Sequence, residues 1–247
     1  MIGPLIRGLS AKRSETEKRG EVGALSLAGM ASIDSVTLEV ADPTAARAFY
    51  TTAFGLGPEL QLRASSAPTS GFRGFTLSLT VAQPANATAL LDAAVAAGAT
   101  AIKPAAKSLW GFGGVVQAPD GTLWKVATSK KKDSGPASRE IDKIVLLLGA
   151  ADVAASKRFY VDRGLGVARS FGRKYVEFES AGAIALGLYG RKALAKDAGV
   201  DQDGGGSHRL VIGGDLGSFA DPDGFAWEEG DRGLTRQNSQ LAGVGSA

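Results

Sequence analysis

One histidine and two echoing octapeptides set the chemistry this chain can offer. His208 is the sole imidazole, and cysteine is absent. Thiolate nucleophiles, thiolate metal sites and disulfides are therefore excluded. A non-haem iron triad, which needs two imidazoles, is excluded within one chain type. The segment "DPDGFAWE" runs from Asp221 to Glu228, and "APDGTLWK" runs from Ala118 to Lys125. The two copies end on opposite charges, Glu228 and Lys125. An imidazole titrates near neutrality and can move a proton, and a fixed ammonium stabilises developing negative charge. The glycine-rich pieces "GLG", "GDLG" and "GGG" lack the spacing and the following helix of a dinucleotide fingerprint.

These residues sit in a chain with two similar halves. "IDSVTLEVADPTAARAFYTTAFGLG" from Ile33 matches "IDKIVLLLGAADVAASKRFYVDRGLG" from Ile141. Each copy reads as strand, tight connection, short helix and turn. Val36, Leu38 and Val40 alternate with period two, and the apolar run Ile144 to Leu148 takes that part in the second copy. Asp42 and Asp152 are the expected N-caps, with Pro43 at the first helical position. Ala45 and Phe49, like Ala155 and Phe159, are expected to pack down onto a sheet. In the first half, strands at "ELQLR" and "FTLSLTVA" precede a helix over "ANATALLDAAVAAG", and strands "GGVVQA" and "TLWKVAT" close the unit. The second half reads as strands "GVARSF", "KYVEFES" and "AIALGLY", a short helix around "RKALAKDAG", and the strand "HRLVIG". It then passes almost directly to its last strand.

The 247 residues suffice for one or two domains. Residues 1–30 read as a disordered tail with basic charge, 31–129 as a first domain and 130–139, with "KKK", as a linker. Residues 140–231 form a second, shortened domain, and 232–247 a flexible tail. No eighteen-residue apolar stretch occurs, and no basic surface with interleaved aromatics. Neither a membrane nor a nucleic acid is an expected partner, and a reducing, cytoplasmic setting suits the lack of cysteine.

The doubled pattern of "I-D-x-V" strand, "FY" in the first helix, "GLG" turn and "DPDG…W-[E/K]" ending resembles the vicinal oxygen chelate superfamily. That superfamily contains glyoxalase I, the bleomycin-resistance proteins and the extradiol dioxygenases. The resemblance covers about residues 31–230. It implies an α+β fold of tandem glyoxalase/bleomycin-resistance-like domains, built from βαβββ-type units with mixed, curved sheets. It further implies metal-ligand positions at Lys143, His208 and Glu228 in the second half and at Ser35, Thr76 and Lys125 in the first. A protonated lysine cannot ligate, and two good donors are fewer than catalytic zinc takes from a protein. The reading is therefore no metal and no cofactor, with Lys143 and Glu228 as an ion pair.

If Lys143 faces a concavity, Val145 and Leu147 face it too, and His208 brings Leu210 and Ile212. Such an apolar floor with a few polar groups suits a small organic, aromatic or antibiotic-like ligand, with Tyr175 and Trp110 as aromatic wall candidates. The first half would present Ser35, Thr37, Glu39, Thr76, Ser78, Thr80 and Lys125 as a wet face. Trp124 and Trp227 alternate away, into the core. The rival reading is a lyase or isomerase with His208 as general acid/base, Lys143 as oxyanion stabiliser and Glu228 holding Lys143 charged. A third is a scaffold that performs no catalysis. The protein is expected as a monomer with paired domains or as a homodimer.

Overall fold

The computed structural model describes residues 31–230 apart from Trp110; the expected tails and Trp110 lie outside the described residues. The first half runs β1 (Ile33–Val40), α1 (Pro43–Phe54), β2 (Leu60–Ala64), β3 (Thr69–Gly71), β4 (Phe75–Thr80), α2 (Pro84–Ala96), β5 (Thr100–Ser108), β6 (Gly111–Gln117) and β7 (Leu123–Thr128). The second runs β8 (Lys143–Ala150), α3 (Val153–Asp162), β9 (Val167–Phe171), β10 (Tyr175–Phe178), β11 (Ile184–Gly190) and α4 (Arg191–Ala198). It ends with β12 (Gly204–Gly206), β13 (Leu210–Gly214), β14 (Phe219–Ala220) and β15 (Ala226–Glu229).

The helix starts follow the side-chain chemistry. The Asp42 carboxylate accepts from the Thr44 and Ala45 amides at 2.9 and 3.0 Å. Asp152 does the same for Ala154 and Ala155. The buried stripe of α1 is Ala46, Phe49, Tyr50, Ala53 and Phe54, while Ala45 is exposed. In α3 it is Val153, Ser156 and Tyr160, with Ala155 and Phe159 only half-buried. Phe49 packs inward as expected, whereas Ala45, Ala155 and Phe159 do not form the buried stripe, because in each helix the tyrosine takes that side and its hydroxyl reaches an aspartate. Tyr50 donates to Asp120 and Tyr160 to Asp221, both at 2.6 Å. The Trp124 and Trp227 indoles donate in turn to those hydroxyls at 3.4 and 3.2 Å. The repeated "FY" and "W" thus meet an aspartate in both halves, Asp120 within "PDG" in the first and Asp221, the residue just before "PDG", in the second.

The halves share their sheets. An eight-stranded sheet has the order β5-β6-β7-β4-β8-β11-β10-β9, and a five-stranded sheet has β14-β15-β13-β1-β2. The larger is made of two complete βαβββ units, β4 to β7 and β8 to β11, each with its first strand parallel to its last. They join where β4 and β8 pair antiparallel, Thr80 opposite Lys143 and Phe75 opposite Leu148. The smaller sheet unites the beginning of the chain with its end through the β1–β13 pair. Each half therefore spans both sheets, and faces expected to belong to one half are mixed.

One core cluster gathers Val36, Leu38, Leu77, Leu79, Trp124, Leu146, Leu186, Leu210, Ile212 and Trp227 with the buried sides of α1, α2 and α3. A second cluster lies on the opposite face of the eight-stranded sheet. There Phe72, Leu123, Val145, Leu147, Tyr175 and Ala185 pack against Leu194, Ala195 and Ala198 of α4. The chain comes close at Gly149, where a Cβ would stand 2.8 Å from the Gly74 carbonyl oxygen and 3.1 Å from the Arg191 Cα. No described helix is long and apolar enough to cross a membrane.

Candidate functional site

Alternation along β4, β7 and β8 puts Thr76, Ser78, Thr80, Leu123, Lys125, Lys143, Val145 and Leu147 on the face opposite the main core. The register places Ser78 between Lys125 and Val145. Instead of a wet groove, this face is largely closed: Thr76, Ser78 and Lys125 are buried. The cover is α4. Its apolar stripe meets β8 and β11, and Asp197 on that stripe pairs with the Lys125 ammonium; the two side chains are 8% and 9% exposed. From β5, Lys103 Nζ donates to the Lys196 and Asp197 carbonyls at 2.8 and 2.6 Å, setting a cation at the C-terminus of α4. Burial lowers the Lys103 pKa, while nearby Asp197 offsets part of that. The Tyr175 and Tyr189 hydroxyls are both pushed up by burial.

A cavity of about 330 Å³ remains at one end of this face. Phe72, Phe75, Leu123 and Val200 supply apolar wall, and Arg73, Gln117, Thr122, Asp201 and Asp203 the polar groups. Arg73 Nη2 donates to the Asp120 carbonyl, and burial lowers the guanidinium pKa. Among the described residues, Arg73 Nη1 and Thr122 Oγ1 are buried without a hydrogen-bond partner.

The expected trio is not brought together. Lys143 begins β8 in the eight-stranded sheet, whereas Glu228 lies on β15 in the five-stranded one. Both Glu228 oxygens take hydrogen bonds from Arg63, at 2.9 and 2.7 Å, with Glu39 at 3.9 Å from that guanidinium. The Arg63 hydrogen bonds hold the Glu228 carboxyl below its ordinary pKa. His208 stacks on Phe225 with ring centroids 4.0 Å apart. Its Nδ1 lies 2.5 Å from the Arg73 carbonyl oxygen and its Nε2 3.1 Å from that of Asp223. Both ring nitrogens face main-chain carbonyls, one from each half, and a neutral imidazole donates to one of them, so the ring sits as a joint between the halves. Leu210 and Ile212 belong to the main core, since β13 aligns them with Leu38 and Val36 of β1. Val145, Leu147 and Tyr175 do share one face, under or beside α4.

Sequence reasoning missed Asp197, Lys103, Arg63 and Arg73. The signal for Asp197 was an acid three residues after Leu194 on an apolar helix stripe. Arg73 stands two residues before β4 as His208 stands two before β13, and each bonds a carbonyl of the following "PDG" turn.

The residues present do not fit a catalytic metal. Lys125 is neutralised by Asp197, and Glu228 is occupied by Arg63. Among the described residues no three His, Cys, Asp or Glu side chains converge.

The chain folds like glyoxalase I from Zea mays, with a TM-score of 0.55 at 15% identity over 87% of this chain and 97% of the maize chain. A point-mutant form of that maize enzyme gives 0.53, also at 15% identity, over 85% and 95%. The shared architecture is an α+β fold with mixed sheets, and at this identity the likeness to glyoxalase I is one of fold alone. No protein-family model and no curated protein matches the sequence.

Proposed function

We propose that the protein is a metal-free, glyoxalase/bleomycin-resistance-like binder of a small organic molecule, whose ligand enters the cavity beside α4. The observation that carries this is the buried Lys125–Asp197 pair. The helix that brings Asp197 covers the middle of the sheet face, and the roughly 330 Å³ at its end has an apolar wall with few polar groups. That size and mix suit a small ligand. Catalysis by His208 gains no support, because both of its nitrogens face main-chain carbonyls and its ring is stacked on Phe225. Native mass spectrometry of freshly purified protein tests the reading. A small organic adduct and far less than one metal per chain are expected, with a melting temperature unmoved by chelator. About one zinc, iron or manganese per chain, lost on treatment with chelator together with stability, would overturn it.

A further inference from the structure

The start of α4 gathers cations around a second hollow, of about 580 Å³. Arg173, Lys174, Arg191, Lys192 and Lys196 line it, and no acidic residue does. The whole chain is nearly balanced, with 28 basic and 25 acidic residues, so this bias is local. Lys174 is held beside the helix start by the Gly190 amide, which donates to its carbonyl at 3.4 Å. The Arg191 guanidinium is fixed by the Gln202 and Phe72 carbonyls, to which it donates at 3.2 and 2.7 Å. Arg173, Lys174, Lys192 and Lys196 are exposed, so their charges are open to a solute. Of the ion pairs among the described residues, only Arg173–Asp152, at 3.6 Å, touches this set. Asp201 and Asp203 share a neighbouring hollow with Lys192 and Lys196 but pair with neither. The five cations therefore outnumber the three carboxylates nearby, and a bound anion relieves their mutual repulsion. Between the charges the wall is apolar, formed by Ala150, Ala193 and the half-buried Tyr189.

We propose that this hollow is a second ligand site, for a soluble phosphate monoester with an apolar or aromatic body. Its phosphate takes charge-assisted hydrogen bonds from Lys174, Lys192 and Lys196, within the field of Arg173 and Arg191, and its body lies on Ala193 and Tyr189. A monoester carries about −1.5 to −2 charge at neutral pH and has three acceptor oxygens, which match several separate donors better than a carboxylate does. α4 begins at Arg191 without a side-chain cap, so its first amides, on residues that line the hollow, add further donors. A hollow of this size holds a small molecule and not a polymer. It shares no lining residue with the cavity at Val200, so the two sites stand or fall separately.

Heteronuclear NMR titration with phenyl phosphate, inorganic phosphate and benzoate tests the proposal. Inorganic phosphate lacks the apolar body, and benzoate lacks the second charge. Phenyl phosphate should shift the amides from Tyr189 to Ala193 and bind at least about tenfold more tightly than either other probe. Because its second proton is lost near pH 6, its affinity should fall several-fold from about pH 7.5 to about pH 5, while that of benzoate should hold. The double variant Lys192→Gln/Lys196→Gln should weaken phenyl phosphate at least about tenfold and keep its melting temperature within about 2 °C, since both side chains are exposed. Equal binding of phenyl and inorganic phosphate, or an unchanged affinity in the double variant, refutes the proposal. So does retention on duplex DNA or on phosphatidate vesicles without a saturable phenyl phosphate site, which would make the cluster a general polyanion face. Either failure leaves the cavity at Val200 untouched.

Discussion

Removing the carboxylate of Asp197 should damage this protein more than any other single loss of surface or near-surface charge. Lys125 and Asp197 are each more than nine-tenths covered, and they pair directly between β7 and α4. Lys103, the nearest further cation, is spent on the Lys196 and Asp197 carbonyls. Asp197→Asn would thus leave the Lys125 ammonium buried with no counter-charge, a loss of about 3–5 kcal/mol. For a chain of this size each kcal/mol moves the melting temperature by about 2–4 °C, so a drop of about 6–20 °C is expected. Lys125→Met should cost a comparable amount by stranding the carboxylate. The double variant Lys125→Met/Asp197→Leu should recover most of either loss, since an apolar pair of similar volume fits the cluster of Leu194, Ala195 and Leu147. Urea denaturation of the wild type, Lys125→Met, Asp197→Leu and the double variant gives the coupling energy directly. Additive single effects below about 1 kcal/mol, the range of exposed pairs, would refute the buried bridge and the placement of α4 with it.

The Arg63–Glu228 pair offers the contrast: with side chains 45% and 49% exposed, Glu228→Gln should cost less than about 1 kcal/mol. A Lys143/Glu228 double-mutant cycle should show no coupling, and a coupling above about 1 kcal/mol would contradict the two-sheet separation. Because the Glu228 pKa is lowered in the fold from its ordinary 4.5, its contribution should be present above about that pH and fade as pH falls through the depressed value, visible in acid titrations of wild type against Glu228→Gln. Tyr160→Phe strips a donor from Asp221, a carboxyl already raised by burial, and should cost about 1–3 kcal/mol by urea denaturation; no measurable change would mean that the Tyr–Asp–Trp network is dispensable. His208→Leu should destabilise by a similar amount, about 1–3 kcal/mol, by removing the hydrogen bond the ring donates to a main-chain carbonyl, and an unchanged melting curve would count against its role as a joint between the halves.

Local chemistry was the legible part of this sequence. Asp42 and Asp152 cap their helices, the alternation of Val36 and Leu38 marks a core face, and Trp124 and Trp227 are buried in that core. Pairing between distant strands was not legible. The alternation along β13 groups His208 with Leu210 and Ile212 whatever strand lies beside it, but which side meets the core depends on β1, some 170 residues earlier. Likewise, the lysine at 125 and the glutamate at 228 announce their charge but not their partners. Those are Asp197 and Arg63, each more than 70 residues away in sequence and on elements whose packing no local pattern fixes.

The partition of chemistry in this molecule follows from where its four structural units are complete. The units β4 to β7 and β8 to β11 keep all their strands and build the eight-stranded sheet across the linker. The opening unit contributes only β1 and β2 to the smaller sheet, and the closing one lacks the helix between β13 and its final strands. The reduced pair still needs a continuous core, which the β1–β13 ladder and the Tyr–Asp–Trp networks supply, but little of its other face is walled in. The complete pair has the opposite difficulty, a broad second face carrying Val145, Leu147 and Tyr175 that would stand wet if uncovered. Between Ala64 of β2 and Phe75 of β4 the first half has ten residues to cross from the smaller sheet to the larger. Between Gly190 and Leu210 the second half has nineteen, enough for α4 and its return. That extra length covers the apolar face, and the aspartate it carries neutralises Lys125.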